Sequence, residues 1–404
     1  MRLHRVTAAL GALTGVAAVL LPAAPAQARA FVCPTLPGPA KVSAAKPYET
    51  QLFAPERLAP FATGAGVRVA VIDSGVDADH PQLRDRVAAG RDFLHGDATG
   101  RQDCVGHGTA VAGLIAAEPV AGAGLRGLAP DATIVPVRVS EQTDTDQSTG
   151  GPVSPAKFAT AIDWAVDEGG ADVINMSLVM TTDDGRVRAA VARAVAAGVV
   201  VVAAAGNDGR PDDGNPRPYP ASYPDVIGVG AIGANGVAGD FSQHGDYVDV
   251  MAPGVAVTIA ARRSGHTQGD GTSYATPFVA ATAALLKQRF PSLTPAQVAR
   301  RILATADPAP GGRRSDLYGF GVLNPYRALT ETLGPESPPP PAPAVMHTED
   351  PAALALAARR ADAQDMSLLV AAIGAGVVLL VVVVAAALRR GRRRGWRPPD
   401  PEVP

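Results

Sequence analysis

The stretch GDGTSYATPFVAATAALL, residues 269–286, sets one serine, Ser273, between a glycine turn and a run of small apolar residues. Glycine permits a tight turn with unusual backbone angles, and the Ala-rich run predicts a buried helix. Ser273 then falls at the helix N-terminus, where unpaired backbone N–H groups favour negative charge. A hydroxyl there is an ordinary N-cap or a nucleophile beside an oxyanion site. Three further polar residues occupy comparable places: Asp73 ends VRVAVID (67–73), Asn207 ends VVVVAAAGN (199–207), and His107 follows a glycine turn in CVGHGTAVAGL (104–114). Each alone reads as a cap, a turn or a core contact. Together they supply every role of acyl transfer: Ser273 attacks, His107 takes and returns the proton, Asp73 orients the imidazole, and Asn207 donates to the oxyanion.

Residues with these roles need strand ends and helix starts to hold them. Short β-branched runs at 67–73, 133–139, 171–178, 199–207 and 225–232 read as strands buried on both faces. Helical patterns fall between and after them, at about 107–117, 155–168, 186–197 and 273–290. TPAQVARRIL adds another helix, with Thr294 as N-cap, Pro295 in first position and Gln297 completing a capping box. Alternation of strand and helix predicts an α/β fold with a mostly parallel central sheet covered on both faces. Sites in such sheets form at the carboxyl ends of the strands. The polar stretch at 140–155 reads as a long surface loop.

The two ends of the chain predict a compartment. Residues 1–28 carry a basic start, an apolar run and a small-residue cleavage site, the pattern of a secretory signal. Residues 29–64 are Pro-rich and poorly periodic, an extended arm. The domain at 65–331 is followed by a Pro-rich stalk at 332–365 and an uncharged apolar run at 366–388. That run is long enough to cross the roughly 30 Å of a bilayer's hydrocarbon as a helix. The tail at 389–404 holds six arginines, which after a span keep it in the cytoplasm and do not point to nucleic acid. The expectation is a single-pass cell-membrane protein with residues 29–365 outside the cell. The two cysteines, Cys33 and Cys104, both lie in the exported part, where one disulfide is the economical reading. The net charge of −2 selects no acidic or basic partner.

With these residues in place, the chain resembles the subtilisin-like serine proteases over roughly 67–328. VAVIDSGVD (69–77), GHGTAVAG (106–113) and GTSYATPFVA (271–280) are similar to the three triad signatures of that family, in its order. AAAGND (203–208) is similar to its oxyanion-asparagine segment, and GLAPDA, VINMSL and YGFGVLN match further landmarks. The resemblance implies Asp73, His107 and Ser273 as the triad, with Asn207 and the backbone N–H of Ser273 as oxyanion donors. It places Ser177, Leu178 and Val179 along the substrate groove and makes peptide bonds of proteins the substrate. More narrowly, the signal, the N-terminal cysteine arm, the second cysteine three residues before His107, the stalk and the span resemble the mycosins, membrane-anchored subtilases of type VII secretion. That implies an arm wrapped on the catalytic domain and a place beside the type VII secretion membrane complex. Val179 and Met180 stand where many subtilisins have glycine, and Tyr274 where many have Met, so a narrow selectivity is expected.

Other chemistries lack support. GAGLRG (122–127) precedes a strand instead of following one, the wrong order for a dinucleotide site. SAAK and SPAK have no S-D-N or K-T-G companion, and no G-x-S-x-G surrounds Ser273. His80, His95, His244, His266 and His347 form no ligand-spaced pair, so no cofactor is expected. DGRPDDGN (208–215) is acidic enough to hold structural calcium but reads as a solvated loop. The alternative to a protease is a scaffold subunit of the secretion complex, in which the protease fold serves assembly.

Overall fold

The computed structural model describes residues 33, 38–96, 99–141, 153–309, 312, 314–334 and 388–390. The signal, residues 29–32 and 34–37 of the arm, the stalk beyond residue 334, most of the 140–155 loop, the apolar run at 366–388 apart from Leu388, and the tail beyond Arg390 lie outside the described residues. Among the described residues no helix is long and apolar enough to cross a membrane. Residues 388–390 form a helical turn in a unit separate from the first 344 residues.

The elements of the first unit run α1 (Tyr48–Phe53), α2 (Pro55–Leu58), β1 (Arg68–Asp73), β2 (Arg91–Asp92), α3 (His107–Ala116), β3 (Thr133–Arg138), α4 (Pro155–Asp167), β4 (Val173–Met176) and α5 (Gly185–Ala196). They continue with β5 (Val200–Ala204), β6 (Val226–Ile232), β7 (Val250–Pro253), β8 (Val257–Ala260), β9 (His266–Gly269), α6 (Thr272–Arg289), α7 (Pro295–Ala304) and α8 (Pro325–Thr330). Seven strands form one sheet in the order β2-β3-β1-β4-β5-β6-β7, parallel at every pairing. The β-branched side chains on both faces of β1, β3, β4 and β5 go into two cores. One core is shared with α3, α6, α7 and α8, the other with α4 and α5. From β1 the chain steps to β3 on one side and then to β4 on the other. The strand order therefore reverses at β1 and β4, and their carboxyl ends open a crevice.

The helix before residue 305 begins as its sequence predicts. Thr294 Oγ1 accepts from Gln297 N, and Gln297 Oε1 accepts from Thr294 N at 2.9 Å. The strands β2 and β7 and the helix α8 were not predicted, and the arm and the hairpin β8–β9 also differ from the sequence expectation. The arm is not extended throughout: α1 and α2 form within it because Phe53 and Leu58 bury in the core, Phe53 against Phe278 with ring centroids 5.2 Å apart. Helices of six and four residues carry too few turns to show a period, and tertiary packing holds them. The antiparallel hairpin β8–β9 was also not visible, since HTQG has no apolar alternation.

The arm binds this hairpin and its surroundings. Ala40 N donates to Ser264 O at 3.0 Å, His266 N to Lys41 O at 3.1 Å, and Gly124 N to Ser43 O at 2.8 Å. Tyr48 Oη donates to Val255 O at 2.9 Å, and Glu49 Oε1 accepts from Thr258 N at 3.0 Å.

Candidate active site

Asp73 is the last residue of β1 and His107 the first of α3. A Cβ at Gly108 would sit 2.0 Å from Gly75 O and 3.2 Å from Asp73 Cβ, so glycine there lets α3 close onto the end of β1. Gly106, the N-cap of α3, takes φ +99°, a left-handed angle that turns the chain into the helix. The result is a contact of 2.7 Å between His107 Nδ1 and Asp73 Oδ1, with both side chains buried. Ser74 N donates to the same oxygen at 2.7 Å. With Asp73 accepting, the Nδ1 proton is assigned to His107 and Nε2 is the basic nitrogen.

The loop ahead of His107 is organised by Asp103, whose role the sequence did not reveal. Its Oδ1 accepts from Ser74 Oγ (2.9 Å), Val105 N (3.0 Å) and Gly106 N (2.6 Å). Its Oδ2 accepts from Thr109 N (2.9 Å) and Thr109 Oγ1 (2.6 Å). Burial pushes this carboxyl above its ordinary value, and the bonds from Thr109 and Gly106 oppose that rise. Cys104, in this loop, forms a disulfide with Cys33 of the arm, 71 residues away. The fully buried Arg138, at the end of β3 beside Asp73, lies 3.2 Å from Cys104 Sγ and 3.3 Å from Asp92 Oδ2.

Ser273 is the second residue of α6 and only 2% exposed. The N-cap is Gly271, so the hydroxyl of Ser273 is not a helix cap. Capping comes from elsewhere in the chain: Asn207 Oδ1 accepts from Thr272 N at 2.9 Å and from Thr272 Oγ1 at 3.0 Å. Because a backbone N–H must face an acceptor, the amide orientation of Asn207 is fixed and its NH2 group remains as a donor. Thr272 Oγ1 also accepts from Gly206 N at 3.0 Å, which fastens the 205–207 loop to α6. Thr272 is buried and, like Asp103, carries no signal in the sequence apart from its place before the serine.

Ser177, expected on the substrate groove, is buried and committed to the protein itself. Its hydroxyl accepts from Asn175 Nδ2 at 3.0 Å and donates to Ser273 O at 2.8 Å. Leu178 packs against the core shared with α4 and α5, while Val179 is 36% exposed and carries the apolar surface of this segment. Met180 is fixed by paired backbone bonds with Tyr219 at 2.7 and 2.8 Å. Tyr274 lies against His107, ring centroids 5.3 Å apart, which brings the start of α6 to the imidazole. The structure thus gathers Asp73, His107, Ser273, Asn207 and Ser177 at the β1–β4 crevice. Among the described residues no group of three or more His, Cys, Asp or Glu side chains could hold a metal ion.

A hydroxyl at a helix N-terminus, an imidazole oriented by a buried carboxylate, and an amide donor pinned beside that helix can together carry acyl transfer. The comparisons with known proteins agree. The Subtilase family model matches residues 64–321. Subtilisin E of Bacillus subtilis (strain 168) is 38% identical over 275 residues, covering 68% of this chain and 68% of that protein. Mycosin-1 of Mycobacterium tuberculosis is 39% identical over 329 residues, covering 69% of this chain and 72% of that one. A crystal structure of MycP1 from the ESX-1 type VII secretion system aligns with TM-score 0.63 at 32% identity, covering 76% of this chain and 91% of its own. The chain belongs to the subtilase family of serine endopeptidases and is related to the mycosins.

Proposed function

We propose that Asp73, His107 and Ser273 form the catalytic triad of a membrane-anchored extracytoplasmic endopeptidase. The observation that carries the reading is the 2.7 Å contact between His107 and Asp73, buried at the carboxyl end of the sheet. In the reaction, Ser273 Oγ attacks the scissile carbonyl and His107 Nε2 takes its proton, while Asp73 stabilises the imidazolium through Nδ1–H. The oxyanion receives the Asn207 NH2 and the Ser273 N–H at the start of α6. His107 returns the proton to the leaving amine, and water repeats the sequence on the acyl-enzyme. Val179 and Leu178 shape the groove beside the nucleophile.

The same reading covers the whole chain: signal at 1–28, arm at 29–64, catalytic domain at 65–331, stalk at 332–365, span at 366–388 and cytoplasmic tail at 389–404. Its support is the charge and hydropathy pattern of the sequence. The relation to mycosin-1 and to a serine protease described as a component of a type VII secretion system supports exported proteins as substrates and that system's membrane complex as partner.

The test is labelling of the purified protein with a fluorophosphonate probe, followed by peptide mass spectrometry. Adduct at Ser273 that disappears in His107→Ala is the expected result. A folded protein with no adduct at Ser273 overturns the triad and leaves the scaffold role as the function.

A further inference from the structure

Tyr274 stands next to the nucleophile in the first turn of α6, and its ring is held on two sides. On one side lies the imidazole of His107, with centroids 5.3 Å apart and planes inclined at 46°, within the range of attractive aromatic pairs. On the other side the hairpin β8–β9 closes directly onto it. A Cβ at Gly269 would sit 2.6 Å from Tyr274 Cε2 and 3.1 Å from Ile259 Cδ1. The end of β9 therefore has room for the ring only because residue 269 carries no side chain.

The imidazole is held at Cγ by its own side-chain bond and at Nδ1 by Asp73. The Tyr274 ring packs beside it as a further support. Other charged groups near His107 are Asp73 at the end of β1, Asp103 in the preceding loop and Arg262 after β8. Asp103 is turned to Thr109, Val105 and Gly106. Arg262 lies against Gly106 and donates to Cys104 O, so its charge opposes a protonated imidazole while Asp73 favours one. The π-system of Tyr274, its centroid 5.3 Å from that of the imidazole, adds to the Asp73 side of that balance.

We propose that Tyr274 is a positioning residue, its ring bracing the His107 imidazole against Asp73 and stabilising the imidazolium formed when Ser273 gives up its proton. This rests on the triad reading above. Because nucleophile and brace are consecutive residues of one helix, any shift of α6 carries both together relative to His107.

The experiment measures the rate of fluorophosphonate labelling of the full chain against pH, with melting temperature recorded for each protein. Tyr274→Phe keeps the ring and is expected to keep the acid limb. Tyr274→Leu fills the space without a π-face, and its acid limb is expected to move down by about half a pH unit with a plateau several-fold lower. An unchanged limb and plateau in a Tyr274→Leu protein of normal melting temperature overturns the inference. Should that variant fail to fold, Gly269→Ala, which pushes a methyl group into the ring, is expected to slow labelling several-fold, and an unchanged rate there overturns it equally. Wild-type labelling that survives His107→Ala would instead sink the triad itself, so the two failures are distinguishable.

Discussion

The hydroxyl of Ser177 donates to the carbonyl oxygen of Ser273 across 2.8 Å, and a proline explains why. In a helix the carbonyl of residue 273 would accept from the N–H of residue 277, but that residue is Pro277, inside α6. The bond that Pro277 cannot make is supplied from the end of β4, with Asn175 Nδ2 in turn donating to Ser177. The sheet and α6 are thereby joined at Ser273, the proposed nucleophile.

Ser177→Ala leaves that carbonyl buried without its donor, a loss of about 1–3 kcal/mol in unfolding free energy. Pro277→Ala gives residue 277 an N–H, so Ser177→Ala in that background is expected to cost less than in the wild type. Denaturant unfolding of the four proteins measures the coupling. Additive effects would show that Ser177 does not replace the missing helix bond.

Asn207→Ala removes the proposed side-chain oxyanion donor and is expected to lower kcat by about 10²–10³, with KM little changed. Thr272→Val removes the hydroxyl that holds the Asn207 amide oxygen and the Gly206 N–H. It is expected to show a smaller loss of the same kind. The double variant should fall short of the summed effects, since Thr272 acts through Asn207. Hydrolysis of a peptide nitroanilide is the readout, and full additivity would separate the two residues.

Two groups at the contact between the arm and the β8–β9 hairpin respond to pH in opposite senses. Burial raises the Glu49 carboxyl from 4.5 to about 7. The fold therefore favours its protonated form, and that stabilisation is complete below about pH 4.5 and lost as pH rises through about 7. Burial lowers the His266 imidazole from 6.5; its Nδ1 accepts from Ser43 N at 3.0 Å. The stability it gives is present above about pH 6.5 and lost as pH falls through its lowered value. Glu49→Gln is expected to raise stability at pH 8 by roughly 1–3 kcal/mol while changing little at pH 4.5. Thermal unfolding across that range checks it, and an equal shift at both pH values would refute the assignment.

Reduction of Cys33–Cys104 opens a loop whose ends lie 71 residues apart, a loss of about 4 kcal/mol on the chain-entropy model. For a domain of this size the melting temperature should fall by roughly 8–16 °C. Labelling at Ser273 is expected to persist, because Asp103 holds residues 105–109 through its own bonds. Loss of labelling in a reduced, folded protein would make the disulfide part of the site.

Sequence made the polar residues at strand ends and helix starts legible, because Asp73, His107 and Ser273 each follow or end a strongly patterned segment. The five predicted strands and the α6 helix fall within a few residues of their observed bounds for the same reason. The family resemblance puts Ser177 along the groove, but a motif match says where the residue falls in the chain and not that its hydroxyl bonds to Asn175 and Ser273. Asp103 and Thr272 were invisible because their partners are backbone N–H groups and hydroxyls brought in by folding, with no pattern of their own. The arm's short helices and the polar β8–β9 hairpin likewise take their form from contacts far away in the chain.

Apart from Tyr274, every residue of α6 from Thr272 to Leu286 is buried. A helix with so little surface cannot drift: almost any replacement along it must be absorbed by the core beneath Ser273. On the proposed triad, divergence in what this protein cleaves is therefore confined to the rim of the crevice, where the exposed Val179 is proposed to lie. Selectivity can change there one side chain at a time while the machinery below stays fixed.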